Sequence, residues 1–262
     1  MVSDALGANG CAHFGGAATS HSPAPPVARG QTSIALGPRC TATGRRQGLS
    51  WLKRAADTAK APGTMTAAFP TYPDLRGKVA LITGIGQVGI PDSSTWGNGA
   101  ATARLLSYNG VKILGCDINL KAAEYTKQRI LKDNDKAEID VTTTDVTSTE
   151  DVQRFVQSAI DKHGRIDVLI NNVGMTAKGD PGSMSEAAWM QQIDLNLHSV
   201  YRLCHAVLPT MEKQGSGTII NNASITALRY IGKPQIAYAT AKAAVIQYTK
   251  AAGVMYAPKA CG

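Results

Sequence analysis

From Lys78 onward the chain alternates between short apolar runs and amphipathic stretches of helical period. The runs cover Val79 to Thr83, Val111 to Cys116, Ala137 to Val141, Ile166 to Asn171 and Thr218 to Asn222. Ala100 to Tyr108, Leu120 to Lys132, Glu150 to Lys162 and Glu186 to Lys213 lie between them, and Gln235 to Tyr256 follows the last run. A strand with one solvated face alternates polar and apolar residues, whereas a strand covered on both faces is apolar nearly throughout. The pattern therefore predicts an α/β fold, a doubly wound parallel sheet with helices on both faces.

That pattern is absent from residues 1–64, which are rich in Gly, Ala, Ser and Pro. They hold seven basic and two acidic residues, so +5 of the chain's net +8 lies there and +3 on the remainder. The basic excess thus belongs to a leader, and no nucleic-acid partner is expected for the folded part. Leu49, Leu52, Ala56 and Ala59 fall near helical spacing among Arg45, Arg46, Lys53 and Arg54, as in a mitochondrial transit peptide. The plainer reading is a disordered extension and a cytoplasmic protein that begins in earnest at Met65. Residues 65–77, with Pro70 and Pro73, read as linker and domain start, and 78–262 as one folded domain.

No run approaches the ~18 apolar residues of a membrane span. The five cysteines form no C-x-x-C pair and have no His at metal-ligand spacing, so no metal site and a reducing compartment are expected. His198 and His205 read as packing or surface residues. The sequon Asn222-Ala-Ser224 falls at the end of a strand expected to be buried, in a chain without a secretory signal.

After the first run comes Thr83-Gly84-Ile85-Gly86-Gln87-Val88-Gly89, a literal G-x-G-x-x-G. Such a turn lets backbone N–H groups and the positive end of the following helix meet a pyrophosphate. Here Ile90-Pro91-Asp92-Ser93-Ser94-Thr95-Trp96 intervenes, and the helix begins only at Gly97-Asn98-Gly99-Ala100. Gly84, Gly97 and Gly99 are therefore read as the glycines at a dinucleotide, the segment between as an outward insertion, and the literal triplet as a decoy. Asp117, eighteen residues after Gly99, ends the second strand. A carboxylate there accepts from the adenosine ribose hydroxyls and repels a 2′-phosphate, so NAD(H) is expected over NADP(H).

Tyr238-Ala-Thr-Ala-Lys242 sets a phenol and an ammonium on one helix face. A free phenol titrates near ~10 and is a poor base at neutral pH until a cation stabilises its phenolate, which Lys242 supplies. Ser224, fourteen residues upstream, could orient a carbonyl oxygen for the proton that Tyr238 gives.

From about Lys78 to Pro258 these motifs resemble the short-chain dehydrogenase/reductase family, in the branch that uses Tyr-x-x-x-Lys. The resemblance includes Asp145-Val146, Asn171-Asn172-Val173-Gly174 and Asn196 within Asp194-Leu195-Asn196-Leu197. It implies a Rossmann-like sheet of order 3-2-1-4-5-6-7 and an NAD(P)-binding domain over 78–262. Asp145 and Val146 would contact the adenine, and Asn172 and Gly174 would line the floor beneath the ribose. Asn196 would hold a water linking Lys242 to solvent, and Lys242 would bind the nicotinamide ribose. The implied activity is hydride transfer between NAD(H) and a small-molecule ketone or secondary alcohol, with Tyr238 as general acid/base. Homodimers or homotetramers are implied for members with a full C-terminus.

Two departures qualify the resemblance. The long turn before Gly97 resembles that of the enoyl reductases of the superfamily, but those separate Tyr and Lys by six residues rather than three. After Lys242 only 20 residues remain, without the sixth and seventh strands of the family. The expectation is a C-terminally truncated member, with a catalytically incompetent dinucleotide-binding or subunit-interaction fragment as the alternative.

Overall fold

In the computed structural model, residues 69–87 and 94–260 are described. The readings placed on the leader 1–64 and on Gly89 lie outside them. Five strands form one parallel sheet: β1 (Val79–Thr83), β2 (Lys112–Asp117), β3 (Ile139–Thr143), β4 (Val168–Asn171) and β5 (Thr218–Asn221). Their spatial order is β3-β2-β1-β4-β5. Leu81 of β1 aligns with Leu114 of β2 on one side and Leu169 of β4 on the other. The chain winds outward from β1 to β3, then returns beside β1 and winds the other way. A crevice opens at that reversal, beyond the carboxyl ends of β1 and β4.

Side chains alternate across β1, and so two cores form. Val79 and Leu81 pack on one face with Phe155 and Val156 of α3 (Thr149–His163), Leu203 and Val207 of α5 (Ser199–Gln214), and Val245 of α6 (Ile236–Ala260). Ala80 and Ile82 pack on the other with Ala103 of α1 (Asn98–Tyr108) and Ala123 and Ile130 of α2 (Leu120–Asp133). Every residue of β1 is buried, as its uninterrupted apolar run requires. Two of the buried residues are thiols: desolvation pushes Cys116 on β2 up to about 12 and Cys204 on α5 up to about 11.

Local chemistry fixes the helix starts. The side chains of Asn119 and Ser148 accept from the N–H groups of Ala122 and Asp151 at the heads of α2 and α3. Ser185 does the same for Ala188 at the head of α4 (Glu186–Ile193). Helix α3 ends on Gly164 at φ 69°, a left-handed cap that favours glycine. At the domain start, Tyr72 N–H donates to Asn109 Oδ1 at 2.6 Å, which ties the segment before β1 to the end of α1.

The single helix expected over Glu186 to Lys213 is in fact α4, a π turn at Asp194–His198, and α5. The third strand is shifted two residues onward from Ala137 to Val141, and β5 is less buried than its apolar run suggested, with Ile220 46% exposed. No helix among the described residues is long and apolar enough to cross a membrane.

Candidate active site

The crevice is floored by the turn after β1. Thr83 is fully buried, and its hydroxyl oxygen accepts from the N–H groups of Asn172 (3.1 Å) and Val173 (3.3 Å). Gly84 takes φ 66°, and its carbonyl accepts from Asn172 Nδ2 at 2.9 Å. A Cβ on Gly99 would overlap that same carbonyl oxygen and stand 2.7 Å from Asn172 Nδ2. Gly99 therefore lets the head of α1 close onto the turn. Among the described residues Gly97 faces no such demand, since a Cβ there would meet only Gln87 Oε1 at 3.8 Å. Helix α1 has no side-chain cap at Gly97, in contrast to α2, α3 and α4. Among the described residues no side chain caps its first N–H groups, and its positive dipole end faces the turn after β1.

From Gly84 the loop runs along the end of β2. Ile85 N–H donates to Cys116 O (3.2 Å), Gly86 N–H to Asp117 Oδ2 (2.9 Å) and Gln87 N–H to Ala122 O (3.2 Å). Asp117 Oδ1 accepts from Asn119 N–H at 3.0 Å. Each oxygen has accepted one hydrogen bond and keeps capacity for a hydroxyl donor. Gly86 meets a steric demand of its own: a Cβ on it would lie 2.7 Å from Asp117 Oδ2. Reading by local spacing missed it because its constraint comes from a residue 31 positions away.

Asp145 and Val146 occupy the turn after β3. Asp145 Oδ1 accepts from the N–H and the hydroxyl of Thr147 at 2.8 and 2.7 Å, while the Val146 side chain is buried in the core. A ligand at this turn would meet the backbone of Val146 rather than its isopropyl group.

Lys242 is 2% exposed, and its Nζ donates to Asn222 O at 2.7 Å. Nζ lies 5.8 Å from the centroid of the Tyr238 ring. Burial lowers the Lys242 pKa from its usual value, because a desolvated ammonium is penalised. Asn222 Nδ2 donates to Asn172 Oδ1 at 2.7 Å. A continuous line of polar contacts therefore joins Lys242 to Gly84 through Asn222 and Asn172, and Asn222 was not anticipated from sequence.

Asn196, fully buried on the π turn, meets Met175 twice. Its Oδ1 accepts from Met175 N–H at 3.1 Å, and its Nδ2 donates to Met175 O at 3.0 Å. Gly174 separates it from the lysine: a Cβ there would stand 3.1 Å from Asn196 Oδ1 and 3.2 Å from Lys242 Nζ. Ser224 caps the short 3-10 turn Ile225–Ala227 that follows β5. Its Oγ accepts from Thr226 N–H at 3.2 Å and Thr226 Oγ1 at 2.9 Å, which leaves its own proton to donate. Thr226 also lines a cavity of about 340 Å³ between Gly179–Pro181 and Arg229–Ile236. The fold thus gathers Tyr238, Lys242, Asn196, Gly174, Asn172 and Gly84 around one crevice. Of the two histidines weighed from sequence, His198 Nδ1 lies 3.1 Å from Asp194 Oδ1, and His205 stacks on Tyr201.

The folded domain has relatives among known proteins. A family model described as short chain dehydrogenase matches residues 78–260. Levodione reductase of Leifsonia aquatica is 33% identical over 193 residues, covering 73% of this chain and 68% of that protein. A 3-oxoacyl-(acyl-carrier-protein) reductase of Chlamydia muridarum is 37% identical over 175 residues, 66% of each chain. A crystal structure of a short-chain dehydrogenase/reductase from Burkholderia xenovorans superposes with a TM-score of 0.68 at 37% identity, covering 72% of both chains. The chain spans about two thirds of the length of the curated relatives it matches.

Proposed function

The chain belongs to the short-chain dehydrogenase family, a family of oxidoreductases, and from that premise we propose that it interconverts a ketone and a secondary alcohol with NAD(H), Tyr238 being the general acid/base. The observation that carries this reading is the placement of Tyr238 against the buried Lys242, itself anchored on Asn222 O.

The crevice fits a dinucleotide. Gly99 lets the head of α1 close onto the Gly84 turn, Gly174 lets the loop after β4 pass between Asn196 and Lys242, and the head of α1 would offer N–H groups to a pyrophosphate. Asp117 would accept from the adenosine ribose hydroxyls, and its charge would oppose a 2′-phosphate, which supports NAD(H) as the preferred partner. Asp145 and Val146 would border the adenine, and Asn172 and Gly174 the ribose. When bound, the nicotinamide supplies or accepts the hydride.

In the reducing direction, Tyr238 donates its phenolic proton to the substrate oxygen as the carbonyl carbon gains the hydride. The Lys242 ammonium stabilises the phenolate left behind and would also bind the nicotinamide ribose. Ser224, with both acceptor positions occupied by Thr226, donates to the same substrate oxygen and orients it. The proton returns to Tyr238 by way of Lys242 and a water at Asn196. Oxidation of an alcohol runs these transfers backwards.

Tyr238→Phe tests the assignment, because it deletes the proton donor and keeps the ring. Turnover across a panel of ketones and alcohols should fall by at least about 10²-fold, with NADH affinity nearly intact. A variant that retained more than about a tenth of the wild-type rate would exclude Tyr238 as the general acid.

A further inference from the structure

We propose that Gln192 is a positioning residue for the proton path, holding the Asn196 amide and the loop after β4 in the arrangement that Lys242 requires. The inference rests on the reaction assigned above, but its geometry stands apart from it.

Gln192 lies in the last turn of α4 and is 2% exposed. A primary amide at such depth costs stability unless its polar atoms are bonded, and an apolar side chain of like volume would fill the space without that cost. Its Oε1 accepts from Ala177 N–H at 3.1 Å and from Asn196 Nδ2 at 3.4 Å. Its main-chain oxygen accepts from Asn196 Nδ2 at 2.9 Å. In an α-helix that carbonyl would take the main-chain N–H of Asn196. In this π turn the N–H groups reach back five residues, as Ser199 N–H does to Asp194 O, and the Asn196 side chain folds back onto the Gln192 carbonyl. The side chain of Gln192 then bonds both the Asn196 amide and the Ala177 end of the crevice loop.

The consequence is an orientation. Met175 O and Gln192 O take the two hydrogens of Nδ2, with Gln192 Oε1 sharing one of them at 3.4 Å, which leaves Oδ1 on the side of Met175 N–H and Gly174. That side is also the side of Lys242 Nζ, across the point where a Gly174 Cβ would stand. An oxygen therefore faces the ammonium. A flipped amide would turn its NH2 toward it, with like partial charges opposed.

Two variants of the full chain separate this role from plain packing. Gln192→Met removes the acceptor at nearly the same volume, and Gln192→Glu keeps an oxygen in its place. The side-chain amide signal of Asn196 in a 15N-labelled sample, assigned by its loss in Asn196→Ser, reports the orientation without need of turnover. We expect Gln192→Met to shift that signal and to speed its hydrogen exchange by about tenfold or more, with kcat falling by about tenfold and the Kd for NADH held within about threefold. Gln192→Glu should restore the signal and most of kcat. An Asn196 amide unchanged in Gln192→Met, or exchanging freely in the wild type, would overturn the positioning role. An altered amide with wild-type kcat would overturn its bearing on the reaction. Gln192→Leu replaces the Met variant if that does not fold. If Tyr238→Phe keeps its turnover, the assigned chemistry fails, while the amide measurement still judges Gln192.

Discussion

Lys242 Nζ donates to the carbonyl oxygen of Asn222, twenty residues upstream, at 2.7 Å. That carbonyl belongs to the residue just past β5, so the ammonium is fixed by the sheet as well as by its own helix. A lysine side chain carries large rotamer entropy and here gives it up in a buried place. The charge is thereby held beside Tyr238 before any ligand arrives.

Lys242→Met keeps most of the side-chain volume and removes the charge. We expect turnover at neutral pH to drop by at least about 10²-fold and NADH affinity to weaken as well, because the ribose contact proposed for Lys242 would be lost. Steady-state rates with NADH fluorescence titration would measure both. An unchanged affinity would remove the ribose from the roles of Lys242.

Asp117→Ala should narrow the preference for NADH over NADPH, by weakening the first and easing the second. It also leaves Gly86 N–H without its acceptor, so the loop after β1 should lose order. Binding constants for both dinucleotides test this, and a native protein that binds NADPH more tightly than NADH would sink the assignment.

Gly99→Ala places a methyl against Gly84 O. Overpacking of this kind costs about 1–3 kcal/mol, and here it also forces α1 away from the crevice. Gly97→Ala, which among the described residues meets only Gln87 Oε1 at an ordinary 3.8 Å, should be close to neutral in thermal stability. The two melting curves form a matched pair, and equal losses would mean that the close approach at Gly99 does not govern the turn.

Asp167 joins the starts of β1 and β4. Burial alone would push its carboxyl up. The Arg165 guanidinium and the Val79 N–H that it accepts from, together with the charge of Lys78, outweigh that and hold it below the usual carboxylate range. A group depressed in the folded state contributes fully above its unfolded value near ~3.9 and loses the contribution as pH falls through the folded value. Asp167→Asn should therefore be less stable than wild type at pH 7 by about 1–3 kcal/mol, with the gap closing in acid. Denaturant titrations from neutral to strongly acidic pH measure the gap, and one that stays constant would assign the loss to packing.

The sheet was legible because its central strands are covered on both faces and read as unbroken apolar runs. Strand β3 was misplaced by two residues for the converse reason. It is an edge strand with one partner, and Asp140, Thr142 and Thr143 give no apolar signal for where it ends. The π turn was hidden because Leu195 and Leu197 both pack against the core, so apolar residues mark the segment without marking an extra residue in the turn. Tyr238 and Lys242 stood out because both lie on one helix at fixed spacing. Asn222 and Gln192 did not, since each acts through a main-chain or amide contact that only the folded chain creates.

The two buried thiols can time the opening of the fold. An alkylating reagent attacks the thiolate, and with Cys116 pushed up to about 12 and Cys204 to about 11 almost none is present while the chain is closed. Their labelling rates in a chain whose other cysteines are replaced would follow local opening rather than surface accessibility. Cys116 would report release of β2 from the centre of the sheet, and Cys204 release of α5 from its face. Whichever is trapped first names the layer that comes away first.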